Sequence, residues 1–349
     1  MPNVLILGSE GNIGKAVRDS FAHLGFDVTT YDKVERPYDS DCRHHTNLDD
    51  AFRQKPDLVF SCLPYMHNEL PARVCATFGV PYFDLGGRCD VSAAINKDCK
   101  EAHSQCFTDL GLAPGWVNIM AEKYFRNDQE REDYPCSVEM YCGGLPAKGE
   151  LDKCGPSRYA LTWSAEGLEN EYRDDCEVLV EGKLSSIPGM STVVREQHVY
   201  SYEEDPVLVT VERFPTSGGL AHSAVLLRNR GVQEANYQTL RYPGHVAWVK
   251  ENGCKDIPRE KVKDVVFVGL FVKWKDNKET YVENKMVYGD SKFTAMQKCT
   301  AFPAVAAASL YNEMPGRPLT YADIPLDEFD RRVEDLFGLH DRSLEEPDV

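Results

Sequence analysis

The stretch Asn3–Lys15, NVLILGSEGNIGK, decides the fold. An apolar run, Val4–Leu7, is followed directly by Gly8-Ser9-Glu10-Gly11-Asn12-Ile13-Gly14, which opens a helical pattern. Small residues at such a turn allow a tight bend, a close approach of the backbone to a pyrophosphate, and close packing of the helix on the sheet. Glycines alone are a weak signal, but their placement between a strand and a helix favours a dinucleotide-binding turn.

Two further segments extend this expected nucleotide site. Asp32 ends the second apolar run, where a carboxylate can accept hydrogen bonds from the adenosine ribose and repel a 2′-phosphate, so NAD is favoured over NADP. Lys33 and Arg36 follow closely and leave NADP open, and a solvated loop acid is the alternative interpretation of Asp32. Leu63 and Pro64, in the turn after the third apolar run, are expected to contact the cofactor.

Apolar runs alternate with helical patterns over the first hundred residues. The runs typical of buried strands are Val4–Leu7, Val28–Tyr31, Leu58–Cys62, Tyr82–Leu85 and Cys106–Leu110. Helix-spaced apolar positions lie near 12–24, 48–54, 67–78 and 91–104. Strand–helix alternation at this spacing predicts an α/β fold, a doubly wound parallel sheet of the Rossmann type with ligands at the carboxyl ends of its strands.

The pattern changes after about residue 121. Longer β-rich runs occupy Val138–Cys142, Val207–Phe214, Tyr237–Arg241, Val265–Lys275 and Thr280–Tyr288. Few long helical patterns separate them, so we expect a mainly antiparallel sheet with some helices. Residues 291–312 carry a strong helical pattern interrupted by Pro303, and the last residues are polar and acidic.

The composition argues against several classes of protein. A chain of 349 residues is long enough for two domains, and its net charge of −17 repels nucleic acid and anionic membranes. The N-terminus lacks a basic start and a long apolar stretch, so we predict a cytoplasmic protein. The twelve cysteines form no CxxC pair, so we expect no metal site and reduced thiols.

Four later motifs carry a family resemblance. They are Gly111–Asn118 (GLAPGWVN), Tyr141–Pro146 (YCGGLP), Arg241–His245 (RYPGH) and the helical segment Ala295–Ala304. With the N-terminal glycines, these motifs resemble the saccharopine dehydrogenase-like family, which includes saccharopine reductases and lysine 6-dehydrogenases. The resemblance covers roughly residues 1–312.

The resemblance implies a division into domains and a dimer. It implies a Rossmann domain over 1–120 completed by the helix 291–312, and a second α/β domain over 121–290 that binds substrate and forms a homodimer. Residues 313–349 are then expected to form a C-terminal surface segment.

Within the family, the chain is most similar to lysine 6-dehydrogenases. Saccharopine reductases carry an acidic residue where this chain has Ala113, and an Asn-Arg-Asp-Ser run where it has Thr216–Gly219. That arginine would clamp a carboxylate of saccharopine. The segment Asp84–Gly87 and the histidine of RYPGH also resemble lysine 6-dehydrogenase, whereas Cys142 and Trp163 match positions near the substrate of saccharopine reductases.

Lysine 6-dehydrogenation needs a free amine and therefore a proton acceptor. The ε-ammonium has a reference pKa of about 10.4, so desolvation or a base must remove its proton near neutral pH. The candidate catalytic residues are Asp84 and Asp109 at expected strand ends, His245 in a Pro-Gly turn, and Tyr65 in a loop expected to cover the nicotinamide. Their alternative roles are helix or turn capping, a surface histidine, and simple packing.

Other residues are candidates for binding the substrate. Arg241 is the candidate for binding the α-carboxylate of the substrate, because its fork-shaped donor matches that group. Trp163 could form a wall of the pocket for an aliphatic chain, and Cys142 could tune the site as a thiol. Thr216, Ser217 and Gly218 could line the pocket, and ordinary structural roles remain open for every member of this group.

Three functions remain as hypotheses: a lysine 6-dehydrogenase-like enzyme, a saccharopine reductase or related secondary-amine dehydrogenase, and a non-catalytic NAD(H)-binding protein.

Overall fold

The computed structural model describes residues 1–36, 42–127, 135–202, 205–274 and 280–338, which divide into two compact units. The first unit contains Met1–Trp116 and the segment that starts at Gln297; the second contains Val117–Met296. None of the helices in the described ranges is both long and apolar enough to cross a bilayer.

The first unit contains a parallel six-stranded sheet. Its strands are β1 (Asn3–Leu7), β2 (Asp27–Tyr31), β3 (Arg43–His45), β4 (Leu58–Ser61), β5 (Tyr82–Asp84) and β6 (Cys106–Phe107). Their spatial order is β3-β2-β1-β4-β5-β6, and every ladder is parallel. The predicted doubly wound Rossmann-type sheet is confirmed.

The central strand pair sets the position of the ligand edge. Val4 pairs with Val28 of β2 on one side and with Leu58 of β4 on the other, and the side chains of residues 4–7 are fully buried. The strand order reverses between β1 and β4, and nucleotides bind doubly wound sheets at this switch point. The turns after β1 and β4 therefore form the expected ligand edge.

Four helices connect these strands. They are α1 (Asn12–His23), α2 (Leu48–Phe52), α3 (Glu69–Phe78) and α4 (Cys89–Glu101). Each helix overlaps one of the helical patterns predicted near 12–24, 48–54, 67–78 and 91–104. The predictions hold because apolar residues at helical spacing lie on one face of each helix, and that face is buried. Strand β3, with the sequence Arg-His-His, was not predicted, since it has no apolar alternation.

The second unit contains an eight-stranded mixed sheet. Its strands are β7 (Pro135–Pro146), β8 (Cys176–Val180), β9 (Lys183–Ile187), β10 (Val194–Tyr202), β11 (Asp205–Pro215), β12 (Glu234–Arg241), β13 (Asp264–Trp274) and β14 (Thr280–Tyr288). The main order is β10-β11-β12-β7-β13-β14, with the β8–β9 hairpin attached to β12. The prediction of a mainly antiparallel sheet is confirmed, except that β12 and β7 pair in parallel.

Helices α5 (Trp116–Asn127), α6 (Ala165–Arg173), α7 (Ser223–Asn229) and α8 (His245–Asn252) accompany this sheet. Residues of α6 and α8 contribute to an apolar cluster that also includes Phe214 of β11. Helix α6 begins with Ser164 as its N-cap, whose hydroxyl accepts the backbone N–H of Gly167 at 3.1 Å. This cap fixes the first turn of the helix that carries Glu171 and Tyr172.

Two helices close the chain. Helix α9 (Ala295–Ala308) contains Pro303 without a break in the helix, and α10 (Leu326–Gly338) has buried Phe329 and Leu336. Phe337 of α10 stacks on Trp116 with ring centroids 5.7 Å apart. Residues 313–338 belong to the first unit, and α10 buries only Phe329 and Leu336. The expected C-terminal surface segment over 313–349 stays a prediction, and residues 339–349 lie outside the described residues.

Candidate functional site

Two glycines in the turn after β1 lie so close to other backbone atoms that no side chain fits there. Gly8 has a φ of +76°, and a Cβ there would lie 3.1 Å from the carbonyl carbon and oxygen of Cys62. A Cβ on Gly14 would lie 2.1 Å from the Gly8 carbonyl oxygen. Side chains are therefore excluded at both positions, so the backbone at the switch point stays open to a ligand and α1 packs closely on the turn.

The first turn of α1 has no carboxylate. Its N-cap, Gly11, makes no side-chain cap, and no acidic residue occupies the first turn. The side-chain amide of Gln297 donates to the backbone oxygen of Asn12 at 2.7 Å and to its side-chain oxygen at 3.0 Å, which fixes the start of the helix. A helix N-terminus of this kind attracts an anion, so the residues present fit a pyrophosphate.

Asp32 is part of this turn rather than a solvated loop acid. It is 9% exposed, and its carboxylate accepts the backbone N–H of Glu10 at 2.9 Å and that of Val34 at 3.1 Å. The Glu10 carboxylate lies 3.3 Å from Arg18 and 3.6 Å from Arg36. Both a ribose acceptor and a cation that could meet a phosphate thus lie beside the glycine turn, and the preference for NAD stays a prediction.

The carboxyl groups of Asp84, the last residue of β5, and Asp109, which follows β6, lie together. One oxygen of Asp84 accepts the backbone N–H of Gly86 at 2.8 Å and that of Asp109 at 3.3 Å. Burial, followed by the neighbouring Asp109 carboxyl, raises the pKa of Asp84 to about 7. Asp84 can therefore exchange a proton near neutral pH.

Asp109 is held in an unusual backbone conformation. Its φ is +67°, its side chain accepts the hydroxyl of Ser92 at 2.8 Å, and its carbonyl accepts the hydroxyl of Tyr321 at 2.7 Å. A Cβ on Gly86 would lie 2.4 Å from an Asp109 carboxylate oxygen. Glycine at 86 is therefore needed to let the two acidic side chains approach each other.

Tyr65, the fourth predicted catalytic residue, is half-buried in the turn after β4. A Cβ on Gly87 would lie 2.9 Å from the Cβ of Tyr65, and the Arg88 guanidinium lies 5.7 Å from the ring centre. Leu63 is half-buried with its N–H on the Ser61 hydroxyl at 3.3 Å, and Pro64 is exposed. Tyr65, Leu63 and Pro64 lie at the same sheet edge as Asp84, and their roles stay predictions.

Arg241 is the centre of a buried polar cluster in the second unit. It is 3% exposed, its Nε donates to the Tyr172 hydroxyl at 2.9 Å, and its Nη1 donates to the Leu240 carbonyl at 2.8 Å. Its guanidinium carbon lies 4.3 Å from the centre of the Tyr159 ring. The guanidinium is thus held in one orientation inside the protein.

His245 supports this arrangement instead of standing in an exposed turn. It begins α8 and is fully buried. Its Nδ1 lies 2.8 Å from the Ser157 carbonyl, so Nδ1 carries the proton and Nε2 accepts the Tyr172 hydroxyl at 3.0 Å. Burial and then the Arg241 charge lower the pKa of His245 to about 3. This histidine is therefore neutral, with both ring nitrogens in use.

Glu171 is a member of the cluster that the sequence did not indicate. One of its carboxylate oxygens accepts the hydroxyls of Thr216 at 3.0 Å and Thr239 at 2.9 Å. Burial raises its pKa, while the charge of Arg241 and the two hydroxyls act in the opposite direction. Glu171 lies in the acidic stretch EGLENEYRDD, where nothing local distinguishes it from solvated neighbours.

Strand alternation gathers the remaining polar side chains. Tyr237, Thr239 and Arg241 are alternate residues of β12 and so project from one face of the sheet. The Cys142 thiol lies 2.9 Å from the Tyr237 hydroxyl, and burial raises the pKa of this thiol to about 12. Cys142 is therefore a protonated thiol at neutral pH.

The other predicted substrate residues adjoin the same cluster. The Trp163 indole donates to the Tyr159 hydroxyl at 3.0 Å, and the backbone N–H of Ser217 donates to the Glu171 carbonyl at 2.9 Å. Gly218 follows with a φ of +84°. The structure thus brings the predicted Arg241, Trp163, Cys142, Thr216, Ser217 and Gly218 together, and adds Tyr159, Glu171 and Tyr172, which the sequence reasoning missed.

Comparison with known proteins supports the family resemblance. Residues 111–254 match the saccharopine dehydrogenase C-terminal domain. The chain is 25% identical over 195 residues to the mitochondrial alpha-aminoadipic semialdehyde synthase of Mus musculus, covering 55% of this chain and 20% of that protein. It is 25% identical over 146 residues to saccharopine dehydrogenase [NADP(+), L-glutamate-forming] of Schizosaccharomyces pombe, covering 42% of this chain and 32% of that protein.

The fold also matches a solved structure. Apo saccharopine dehydrogenase (L-Glu forming) from Saccharomyces cerevisiae aligns with a TM-score of 0.72 at 17% identity, covering 97% of this chain and 98% of that chain. At this identity the likeness establishes the fold. The matches to these two curated relatives span a fifth and about a third of the relatives' length. The family resemblance itself is confirmed.

Proposed function

We propose that this chain, a member of the saccharopine dehydrogenase-like family, is an NAD(P)-dependent oxidoreductase that oxidises the side-chain amine of a free α-amino acid, with lysine as its substrate. In the overall reaction the lysine ε-ammonium, oxidised nicotinamide cofactor and water yield the side-chain aldehyde, reduced cofactor, an ammonium ion and a proton. The bound nicotinamide would accept the hydride from the carbon that carries the amine.

The nucleotide part of this proposal is supported by the turn at residues 8–14. Its backbone and the uncapped start of α1 would hold the pyrophosphate, and Asp32 would accept hydrogen bonds from the adenosine ribose. The relative from Schizosaccharomyces pombe is named for NADP(+), and Arg36 is the residue of this chain that would meet a 2′-phosphate.

One observation carries the choice of lysine. Among the described residues of the second unit, Arg241 is the only buried lysine or arginine. A single fork-shaped cation matches the one carboxylate of lysine, whereas saccharopine has three carboxylates to neutralise. The segment Thr216–Gly219 holds hydroxyls and glycines and supplies no further cation.

The carboxyl pair of the first unit is our candidate for proton transfer. With a pKa of about 7, Asp84 can accept a proton at neutral pH from an amine whose reference pKa is about 10.4 once that amine is desolvated. Asp109 keeps this pKa raised, and Tyr65 would cover the site. His245 acts through Tyr172 as a positioning residue, since both its ring nitrogens are bonded.

Saccharopine is the second candidate substrate. The names of the relatives favour it, as do Cys142 and Trp163, which resemble positions near the substrate in saccharopine reductases. Its oxidation removes hydride next to a secondary amine and would use the same cofactor site.

The test is a spectrophotometric screen of the purified chain. NAD and NADP are each offered with lysine, ornithine, pentane-1,5-diamine and saccharopine, and reduced cofactor is followed. We expect turnover with lysine that is lost in Asp84→Asn while cofactor binding is retained. Turnover with saccharopine and none with lysine would show that saccharopine is the substrate instead of lysine. Tight cofactor binding without turnover of any amine would favour a non-catalytic NAD(H)-binding protein.

A homodimer belongs to the same proposal. Light scattering on the eluting protein would measure it, with twice the mass of 39.3 kDa expected and a single chain mass excluding it.

A further inference from the structure

Two opposite charges in the second unit attract each other without forming an ion pair. Burial raises the pKa of Glu171, and the charge of Arg241 acts against this rise; the Glu171 carboxylate is one of the groups that raise the pKa of Arg241. Among the described residues, the partners of Arg241 are the Tyr172 hydroxyl and the Leu240 carbonyl, and those of Glu171 are two threonine hydroxyls. Each charge therefore lacks a partner of opposite sign in direct contact.

The bonds that do exist leave one side of each group open. Arg241 uses Nε and Nη1, so Nη2 makes no hydrogen bond with the described residues. Glu171 uses Oε1 for both threonines, so Oε2 likewise makes none. A charge inside a protein is costly unless a charged or hydrogen-bonding partner compensates it. Arg241 Nη2 and Glu171 Oε2 together match a ligand that carries a carboxylate and an ammonium close to each other.

We propose that Glu171 and Arg241 bind the zwitterionic head group of a free α-amino acid. Arg241 Nη2 donates to the α-carboxylate, and Glu171 Oε2 accepts from the α-ammonium. The Thr216 and Thr239 hydroxyls hold the other Glu171 oxygen, while Tyr172 and the Tyr159 ring hold the guanidinium. This assignment rests on the proposed function for the identity of the ligand as an amino acid.

The head-group site determines which of the two amines of lysine can be oxidised. An α-ammonium held by a carboxylate keeps its proton and has no lone pair with which to form an imine. The side-chain amine makes no contact with Glu171 in this arrangement and can be deprotonated elsewhere. The site therefore selects oxidation at the side-chain carbon over oxidation at the α-carbon.

Binding of lysine and two truncated analogues tests the site without turnover. 6-Aminohexanoate lacks the α-ammonium and pentane-1,5-diamine lacks the carboxylate, and calorimetry measures each on the wild-type protein with and without reduced cofactor. We expect each analogue to bind at least tenfold more weakly than lysine, because each loses a charge-assisted hydrogen bond. Equal affinities, or no binding of lysine under either condition, would overturn the proposal.

A substitution at Glu171 tests whether this residue binds the α-ammonium. Glu171→Gln keeps Oε1 for the threonines, and we expect lysine to bind about 100-fold more weakly while 6-aminohexanoate changes less than twofold. Glu169→Gln, an exposed acid on the same helix, is the matched control and should leave both ligands unchanged. An equal loss for both ligands, which a purely structural role would produce, or no loss for lysine, contradicts the assignment.

The two proposals can fail separately. If Glu171→Gln oxidises lysine with an unchanged KM, the head-group site is wrong and the proposed function stands. If the protein binds lysine more tightly than the two analogues but oxidises no amine, the head-group site stands and the proposed function is wrong.

Discussion

The glycine turn of the first unit and the Arg241 cluster of the second both hold charged groups, but they achieve their geometry in different ways. At residues 8–14 the backbone itself is the proposed binding surface, and the requirement is the absence of side chains at Gly8 and Gly14. Around Arg241 the proposed binding surface is made of side chains from β12, α6 and α8 and from the segment after β11.

This difference decides how each site responds to substitution and to pH. The backbone groups of the glycine turn do not titrate, and the turn fails when a Cβ is added. The side-chain cluster tolerates small changes in volume, but each member depends on the hydrogen-bonding state of the next, as the Arg241–Tyr172–His245 chain does. Four substitutions test this difference between the two sites.

The largest effect is expected at the glycine turn. Gly14→Ala places a methyl group 2.1 Å from the Gly8 carbonyl oxygen, so the turn must shift. We expect the affinity for reduced cofactor, measured by fluorescence titration, to fall by about 100-fold to 1,000-fold, since the turn then presents the pyrophosphate with a displaced backbone. Gly316→Ala is the control, because its Cβ would have no neighbour within 4 Å and its backbone φ is not in the left-handed region. Wild-type affinity in Gly14→Ala would show that the cofactor does not use this turn.

The second effect concerns the buried arginine. Arg241→Lys keeps the charge but loses the fork and the bond to Tyr172, so we expect kcat/KM for lysine to fall about 100-fold. Cofactor affinity should not change, because the site that we assign to the cofactor lies in the first unit. A loss of less than threefold would contradict a carboxylate-binding role.

The third effect concerns the ionisation of Asp84. Asp84 has a pKa near 7 in the folded protein and near 4 when unfolded, so the folded state binds more protons between these values and stability falls as pH rises from about 4 to 7. Asp84→Asn keeps an oxygen for the N–H groups of Gly86 and Asp109 and removes this penalty.

Urea unfolding at two pH values measures the effect of Asp84→Asn. We expect the variant to be more stable than wild type by on the order of 2–4 kcal/mol at pH 8 and nearly equal to it at pH 4. The same difference at both pH values would mean that ionisation of Asp84 is not its source.

The smallest effect distinguishes positioning from base catalysis at His245. Because its pKa is lowered to about 3, this histidine stays neutral across the working range, and His245→Gln should reduce kcat/KM by about tenfold or less without moving the pH profile between pH 5 and 8. Tyr172→Phe removes the linking hydroxyl and should show a similar loss. Disappearance of a limb of the pH profile in His245→Gln alone would restore the general-base role.

The sequence predicted the first unit well because its requirements are local. Buried strands such as Val4–Leu7 and the glycines that follow are contiguous, so spacing alone indicates both the sheet and its ligand edge. Asp32 and Asp84 could be placed at strand ends for the same reason. The short strand Arg43–His45 escaped prediction because its pairing depends on β2 and not on its own residues.

The second unit was less accessible because its contacts are distant in sequence. The parallel pairing of β7 with β12 joins Val138 to Ala235, and no local pattern specifies it. The β8–β9 hairpin did carry a signal, since Glu181-Gly182 forms a two-residue turn with positive φ at both positions. Glu171 carried none, because it lies in a stretch that also contains Glu166, Glu169, Asp174 and Asp175, and its partners come from β12 and from the segment after β11.

One titration tests the nucleotide role of residues 8–14 most directly. The purified chain is titrated with NADH and separately with NADPH, and the fluorescence of the reduced nicotinamide is followed. Saturable binding of at least one of them, weakened in Gly14→Ala and retained in Gly316→Ala, is the predicted result. Failure of the wild-type protein to bind either dinucleotide would contradict the assignment of the turn and, with it, the oxidoreductase function.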